Sequence, residues 1–271
     1  MDRSSQPGRA ASHDGASRME FPRRPLVIIP TYNERDNIAR LVPAVFEIDS
    51  RLHILIVDDS SPDNTGEMVL DIRQNKYPDR LFLLSRPVKE GLGRAYITGF
   101  EWGLTQQYDF MIQMDGDWSH NPQDLKRMLQ NARHFDFVIA SRYIQGGGTA
   151  NWDWGRKLLS RSAGIYTRRI LKSEFSDFTG GYNGWSHKIL SRLNLDSIHS
   201  NGYSFQIELK YLADKLGYRH TEFPITFTER RSGKSKMSFL IALEAVWRVW
   251  QFRLHWQKGH YGMKSPGQNQ S

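Results

Sequence analysis

The chain has 271 residues, 39% of them hydrophobic, with 8 Trp and 14 Phe, enough for one sizeable α/β domain or two small ones with a real core. It has no cysteine, which excludes disulfides and thiolate metal sites. The net charge of +8 suits nucleic acid, anionic lipid headgroups or phosphorylated substrates, and by itself does not choose among them.

Residues 1–24 are polar and Arg-rich, lack the apolar core of a signal peptide, and read as a disordered basic tail. "RPLVIIPTYNE" (24–34) is an aliphatic strand ended by Pro30, with a helix following from about Glu34 to Phe46. "LHILIVDDSSPDNTGEMV" (52–69) repeats the scheme: a strand over 52–57, an acidic turn, then a helix that Asn64 is suited to cap. "RLFLLSR" (80–86) is a third strand and "GLGRAYITGFEWGL" (91–104) a glycine-led helix. "DFMIQMDGD" (109–117) is a fourth strand, and "NPQDLKRMLQNAR" (121–133) a helix started by Asn121 and Pro122. "FDFVIASRY" (135–143) is the fifth strand.

Beyond residue 145 the pattern changes. "QGGGTANWDWG" (145–155) is a Gly/Trp loop, and "RKLLSRSAGIYTRRILK" (156–172) a basic helix. A short strand-like "FTGGYNGW", a helix near 203–216, a strand "HTEFPITF", a loop "TERRSGKSKMS" and a long terminal helix follow.

The first five strands are unbroken aliphatic runs, as expected when both faces of a sheet are covered. Alternation with helices predicts a doubly wound, mainly parallel α/β sheet with helices on both faces. Ligands bind such sheets beyond the carboxyl ends of the strands. Polar residues gather there: Tyr32 and Glu34, Asp58 and Asp59, Asp115 and Asp117, Ser141 and Arg142.

Asp115 and Asp117, one residue apart at a strand end, suit a hard divalent cation shared with phosphate oxygens. A solvated turn carries the same spacing. Asp58 and Asp59 can accept N–H and O–H donors of a base or ribose, in a segment that also reads as a plain turn. Arg142, Arg156, Lys157 and Arg161, and the later Arg230, Arg231, Lys234 and Lys236, suit phosphate, or form a solvated basic face. "GLGRA" is not a dinucleotide fingerprint, so Gly91 and Gly93 read as turn residues. His120 reads as a turn histidine. Trp152 and Trp154 are acceptor contacts or loop anchors.

Taken together and in order, "IIPTYNERDNI", "IVDDSSPDNTG", "GLGRAYITGF", "QMDGDWSHNP", "IASRY", "GYSFQIEL" and "ERRSGKSKM" resemble the family 2 glycosyltransferases. The likeness spans about residues 25 to 240 and is closest to members that act on polyprenyl (dolichyl) phosphates. It implies a GT-A fold and inverting transfer of mannose from GDP-mannose to a polyprenyl phosphate. It also implies Mg2+ or Mn2+ as cofactor. By that likeness Pro30, Tyr32, Glu34 and Asp59 hold the guanosine, and Asp58 supports their turn. Asp115 and Asp117 bind the metal on the diphosphate. Arg142, Arg156 and Ser160 bind the acceptor phosphate, while Arg230 and Lys236 reach the nucleotide phosphates. Some relatives carry Gln where this chain has Ser119, which makes Ser119 a weaker metal contact.

The alternatives are UDP-glucose or another nucleotide sugar on the same fold, and a basic nucleic-acid-binding module. Against the module, arginines interleave with carboxylates at strand ends and no recognised binding motif occurs. The implied boundaries are a catalytic domain over 25–236, an amphipathic helix over 237–258 and a disordered tail from 259. No stretch reaches the roughly 18 to 20 apolar residues of a membrane span. Leu240, Leu243, Trp247, Trp250 and Leu254 share one face of the terminal helix, which packs on the domain, on lipid, or on both. The expectation is peripheral attachment to the cytoplasmic face of a membrane, with a separate membrane-anchoring protein as a further partner.

Overall fold

The computed structural model describes residues 22–150, 152, 154–228 and 239–261, with the backbone alone for 239–246. Four parallel strands come first: β1 (Pro25–Thr31), β2 (His53–Asp58), β3 (Leu81–Ser85) and β4 (Phe110–Gln113). Between them run α1 (Arg35–Phe46), α2 (Thr65–Lys76) and α3 (Leu92–Thr105), and α4 (Asp124–Ala132) leads to β5 (Phe137–Ser141). The second half adds β6 (Gly148–Ala150), α5 (Trp154–Leu171), β7 (Asn183–Ser186), α6 (His187–Leu190), α7 (Gly202–Lys215), β8 (His220–Pro224), β9 (Thr226–Thr228) and α8 (Phe239–Gln257).

The central sheet has the order β3-β2-β1-β4-β7-β5-β8. The predicted parallel sheet is there, with one interruption. β7 enters antiparallel between β4 and β5, pairing Ile112 with Gly184 on one side and Val138 with Gly184 on the other. A side chain at Gly184 would overlap the Phe110 ring, a Cβ there lying 2.4 Å from Cε1, so glycine lets this strand fit.

Neighbouring residues of each buried strand serve opposite faces. Leu26, Ile28, Leu55 and Val57 pack with residues of α3, α7 and α8, including Phe100, Phe205, Val249 and Phe252. Val27, Ile29, Ile54 and Ile56 pack with α1 and α4 through Ile38, Leu41, Val45, Leu125 and Met128. Both faces are dry, which is why these strands read as unbroken aliphatic runs.

Three local expectations change. "HTEFPITF" is two strands, because the Ile225 N–H bonds to Ser141 of β5 while its carbonyl accepts from Gly148 of β6. That corner carries the chain into a second, two-stranded sheet of β6 and β9, so the Gly/Trp segment is partly a strand. Asn64, with a left-handed backbone (φ 62°), makes no capping bond. Asp63 does that work, accepting from the Thr65 N–H at 3.1 Å and its hydroxyl at 2.6 Å.

Both ends of the described chain are tied down. The Arg23 and Arg24 N–H groups donate to Asp109 at 2.6 and 3.1 Å. Beyond α8 the Tyr261 hydroxyl donates to Glu208 at 2.6 Å. α8 buries Val249 and Phe252, and Arg253 donates to the Ile170 carbonyl of α5 at 2.8 Å. Trp247, Trp250 and Leu254 of the predicted stripe face outward, whereas Leu240 and Leu243 lie among the side chains not described.

Candidate active site

The carboxyl ends of β1, β2, β3 and β4 lie side by side, so Pro30, Tyr32, Glu34, Asp58, Asp59, Asp115 and Asp117 share one edge of the sheet. Pro30 pairs with Val57, and Thr31 pairs with Asp58. Asp58 is buried and structural: Thr31 Oγ1 donates to it at 2.9 Å and the Ser61 N–H at 3.0 Å. The two turns are stitched together by the Asn33 N–H on Ser61 Oγ (3.0 Å) and the Arg35 N–H on Asp63 (3.1 Å). Glu34 accepts from Asn37 at 2.6 Å. Asp59 is buried against Arg86, whose Nε donates to it at 2.6 Å. Tyr32 is exposed and carries the Lys89 ammonium over its ring, 3.4 Å from the centroid.

The Asp-x-Asp turn leaves β4 directly. The Asp115 N–H donates to His120 Nδ1 at 3.0 Å, and the Ser119 N–H to Asp117 Oδ1 at 3.0 Å. Trp118 takes a left-handed backbone (φ 65°) to let the turn close. Tyr96 of α3 donates its hydroxyl to Asp115 Oδ1 at 3.2 Å. Burial, then the charge of Asp115, pushes that phenol well above its ordinary pKa, so it stays a donor.

His120 is no exposed turn residue. It is buried and stacked on Tyr182 with ring centroids 4.7 Å apart. Burial lowers its pKa against the pull of Asp115 and Asp117. Its Nδ1 accepts, which leaves the ring proton of the neutral form on Nε2, 3.8 Å from Asp115 Oδ2.

Among the described residues no group of three or more His, Asp or Glu is arranged around a single metal position. The turn still fits a hard cation. Asp115 keeps 24% of its side chain open to solvent, and the buried Ser119 Oγ has no hydrogen-bond partner among the described residues. Two carboxylates and a hydroxyl form an all-oxygen set that needs completion by ligand or water.

The cationic side lies past β7. Arg142, at the end of β5, is buried and forked onto Asp177, with Nε–Oδ2 and Nη2–Oδ1 both 2.7 Å. Nη2 also donates to Thr179 at 2.8 Å. Nη1 stands outside these bonds. Burial alone would raise the Asp177 carboxyl, but the charge and hydrogen bonds of Arg142 hold it well below the usual carboxylate range. Lys210 of α7 is buried and donates to the carbonyls of Asp177 (2.7 Å) and Gly180 (2.9 Å). Burial pulls its pKa down to about 8, partly opposed by Asp177 and Glu222. Glu222 accepts the Ser176 and Asp177 N–H groups at 2.9 and 3.1 Å. The 176–181 loop is therefore clamped from three elements.

That loop and β9 join the two sides. A Cβ on Gly181 would lie 3.7 Å from His120 Cε1 and 3.9 Å from Asp115 Oδ1. The Phe227 ring stands 6.0 Å from His120 and 5.6 Å from the Arg142 guanidinium. Trp152 is a buried anchor, 5.9 Å from Phe227, with Arg156 over its ring at 4.1 Å, whereas Trp154 is exposed. Ser160 is buried with its hydroxyl 2.5 Å from that of Tyr143. Arg230 and Lys236 lie outside the described residues.

Sequence reading missed Tyr96, Arg86, Asp177, Lys210 and Phe227. Lys210 carried no local signal: it shares a helix face with Gln206 and Asp214, which reads as the solvent side, whereas the structure buries Phe205 to Ala213 all round. Gly93 was read as a turn residue, whereas it sits inside α3, where a Cβ would lie 2.7 Å from the Ser200 carbonyl.

Residues 26–193 match the sequence pattern of glycosyl transferase family 2. A polyprenol monophosphomannose synthase of Mycolicibacterium smegmatis is 43% identical over 227 residues, covering 83% of this chain and 85% of that protein. An undecaprenyl-phosphate mannosyltransferase of Micrococcus luteus is 43% identical over 240 residues, covering 86% and 96%. Among solved structures, glucosyl-3-phosphoglycerate synthase from Mycobacterium tuberculosis, in complex with Mn2+, UDP and phosphoglyceric acid, shares the fold. It superposes with a TM-score of 0.61 at 18% identity, over 88% of this chain and 79% of that one.

Proposed function

The chain belongs to glycosyl transferase family 2, and from that premise we propose that it moves mannose from GDP-mannose to a polyprenyl phosphate, with inversion at the sugar carbon. The observation that carries this reading is the meeting of two opposite sets on one edge. Carboxylates end β2 and leave β4, arginines follow β5 and begin α5, and Phe227 stands between His120 and Arg142. Such an edge suits a molecule that is anionic at its centre and rich in N–H and O–H donors at one end. Both mannosyl-transferring relatives are named for polyprenyl carriers, which supports the acceptor.

In this reading Tyr32, Glu34 and Asp59 hold the nucleoside, with Pro30 and Asp58 shaping the turns. Asp115, Asp117 and the Ser119 hydroxyl would hold Mg2+ or Mn2+, which when bound neutralises charge on the diphosphate leaving group. Tyr96 and His120 fix Asp115 from side chain and backbone. The acceptor phosphate is itself a competent nucleophile, so the site needs no strong base. Arg142 through Nη1, Arg156 and Ser160 orient that phosphate for attack on the sugar carbon. Arg230 and Lys236 add charge at the nucleotide phosphates.

No described helix is long and apolar enough to cross a membrane. The lipid acceptor is reached from the surface instead. Trp154, Leu158 and Ile165 of α5 and Trp247, Trp250 and Leu254 of α8 are all exposed, on helices that touch. Arg161, Arg168, Arg169 and Lys258 are exposed among them. Trp and basic residues together suit the headgroup region of an anionic leaflet. The cytoplasmic face and a separate membrane-anchoring protein complete the proposal.

The test is incubation with radiolabelled GDP-mannose or UDP-glucose plus polyprenyl phosphate, followed by organic extraction. Label enters the lipid phase from GDP-mannose. Lipid labelling from UDP-glucose alone rejects the donor, and labelling from neither rejects the reaction.

A further inference from the structure

Lys210 has no task in the reaction as set out above, yet its partners are those of the arginine assigned to the acceptor phosphate. It lies in α7 with 0% of its surface exposed, alone in that among the lysines of the described residues. Its ammonium donates to the carbonyls of Asp177 and Gly180 at 2.7 and 2.9 Å. Neither acceptor is charged. A glutamine amide also donates to two carbonyls, and burying an ammonium is expensive unless its charge acts on something.

The charges that face Lys210 come from three other elements: Asp177 in the 176–181 loop, Glu222 on β8 and Arg142 at the end of β5. Arg142 is forked onto Asp177, its Nε and Nη2 each 2.7 Å from a carboxylate oxygen, so toward a third charge this pair is close to neutral. Glu222 adds a second carboxylate, held by the Ser176 and Asp177 N–H groups at 2.9 and 3.1 Å. With Lys210 protonated the four charges cancel. Without that proton one net negative charge remains, in the same cluster as the guanidinium that faces the acceptor. Tyr143, Tyr203 and His120 also act on that guanidinium.

We infer that Lys210 is a positioning residue whose proton keeps the Arg142–Asp177–Glu222 cluster from repelling the acceptor phosphate, so that acceptor binding and the Lys210 proton strengthen one another. The assignment rests on the acceptor reading above and adds a pH control to it. The coupling is reciprocal: a proton that tightens phosphate binding is held tighter by the same factor once phosphate is bound. A neutral amine keeps two N–H donors, enough for both carbonyls, so the loop holds its place and the change is one of charge. Burial pulls the free lysine down to about 8. A phosphate monoester takes up its second proton near about pH 6, so the acceptor stays a dianion while Lys210 titrates.

The test is calorimetry with farnesyl phosphate from about pH 7 to about pH 9, with GDP titrated into the same proteins. Wild-type affinity for farnesyl phosphate falls about fivefold over that range, and binding near pH 8.5 takes up about half a proton, read from the heats in buffers of different ionisation enthalpy. Lys210→Gln keeps the donors without the charge, binds farnesyl phosphate about tenfold more weakly near pH 7, and shows no fall above it. Lys210→Arg keeps its charge throughout and binds tightly up to about pH 9. GDP affinity is the same in all three proteins. A wild-type affinity that is flat with pH, or binding without proton uptake, overturns the inference, leaves the acceptor reading standing, and needs no variant to fold. A folded Lys210→Gln protein that binds farnesyl phosphate as wild type does overturns it as well. So does a GDP affinity that falls in step with the acceptor affinity, which marks a merely structural lysine. Wild-type protein that binds no farnesyl phosphate at any pH overturns the acceptor reading, and the inference with it.

Discussion

Asp177 clasps Arg142 along the whole edge of its guanidinium, with Nε and Nη2 each 2.7 Å from a carboxylate oxygen and the Arg142 N–H donating at 3.0 Å. The arginine assigned to the acceptor phosphate is thus already engaged inside the protein. One nitrogen, Nη1, stands outside these bonds, and the fork fixes the direction in which it lies. Removing the acid leaves a buried, unpaired cation. Asp177→Ala should cost about 3–5 kcal/mol of stability at pH 7, read by urea unfolding. The folded pKa of Asp177 lies below its unfolded value of 3.8, so the pair stabilises fully above pH 3.8 and progressively less as acid drives it toward the folded value. Wild-type protein should lose stability below that pH, and the variant should lack this loss.

Lys210 has the opposite pH signature. Its folded pKa of about 8 lies below the unfolded 10.5, so the unfolded chain binds the extra proton between those values. Stability from this residue therefore rises as pH climbs from about 8 toward 10.5. Lys210→Met should remove that rise, measured as unfolding free energy against pH beside wild type. An identical alkaline limb in the two proteins would contradict the burial argument.

Asp117→Ala should abolish nearly all transfer while the protein stays folded. In the proposed reading Asp117 holds the cation, so its loss would remove leaving-group stabilisation worth on the order of several kcal/mol. The check is turnover of the folded variant, alongside wild-type turnover in excess EDTA. Undiminished rates in either experiment would reject the metal role.

Arg156→Ala should raise the acceptor KM more than it weakens nucleotide binding. Arg156 sits in the first turn of α5, where helix N–H groups favour an anion, and is braced on Trp152 at 4.1 Å. Kinetics against polyprenyl phosphate and calorimetry with GDP separate the two effects. A lost nucleotide affinity with an unchanged acceptor KM would assign Arg156 to the other substrate.

Flotation with anionic vesicles at low salt should carry the protein upward, and Trp247→Ala with Trp250→Ala should weaken this without touching the buried Val249 and Phe252. Trp154→Ala with Leu158→Ala should weaken it as well, because α5 exposes the neighbouring part of the surface. Attachment that survives both changes would place the membrane contact elsewhere.

The strand ends were readable from sequence because buried parallel strands are written as aliphatic runs, and the first polar residue after each run marks the edge where ligands bind. Tyr32, Asp59, Asp115 and Asp117 were singled out in that way, and the structure sets all four along one edge of the sheet. Their supports were not. Asp177 meets Arg142 only because β7 enters between β4 and β5, and nothing local to "SDFTGG" encodes an insertion. Tyr96 and Phe205 stack 6.2 Å apart from separate helices, a pairing set by tertiary packing. Asn64 failed as a cap because its own backbone is left-handed, a conformation that asparagine adopts readily, and Asp63 accepts from Thr65 in its place. The terminal helix was ambiguous for a plainer reason. Apolar residues occur on two of its faces, so periodicity alone did not say that Val249 and Phe252 turn inward while Trp247 and Trp250 turn out.

α5 carries both Arg156 with Ser160 and the exposed Trp154 with Leu158. In the proposed reading this helix would grip the bilayer and the acceptor phosphate at once, which would change the dimensionality of the search. Once docked, such an enzyme would meet its lipid by lateral diffusion, at an effective concentration set by the packing of carriers in the leaflet. Its rate should then saturate with the mole fraction of polyprenyl phosphate in the vesicle. Diluting the carrier with inert lipid should slow turnover even when the total amount of carrier in the tube is held constant.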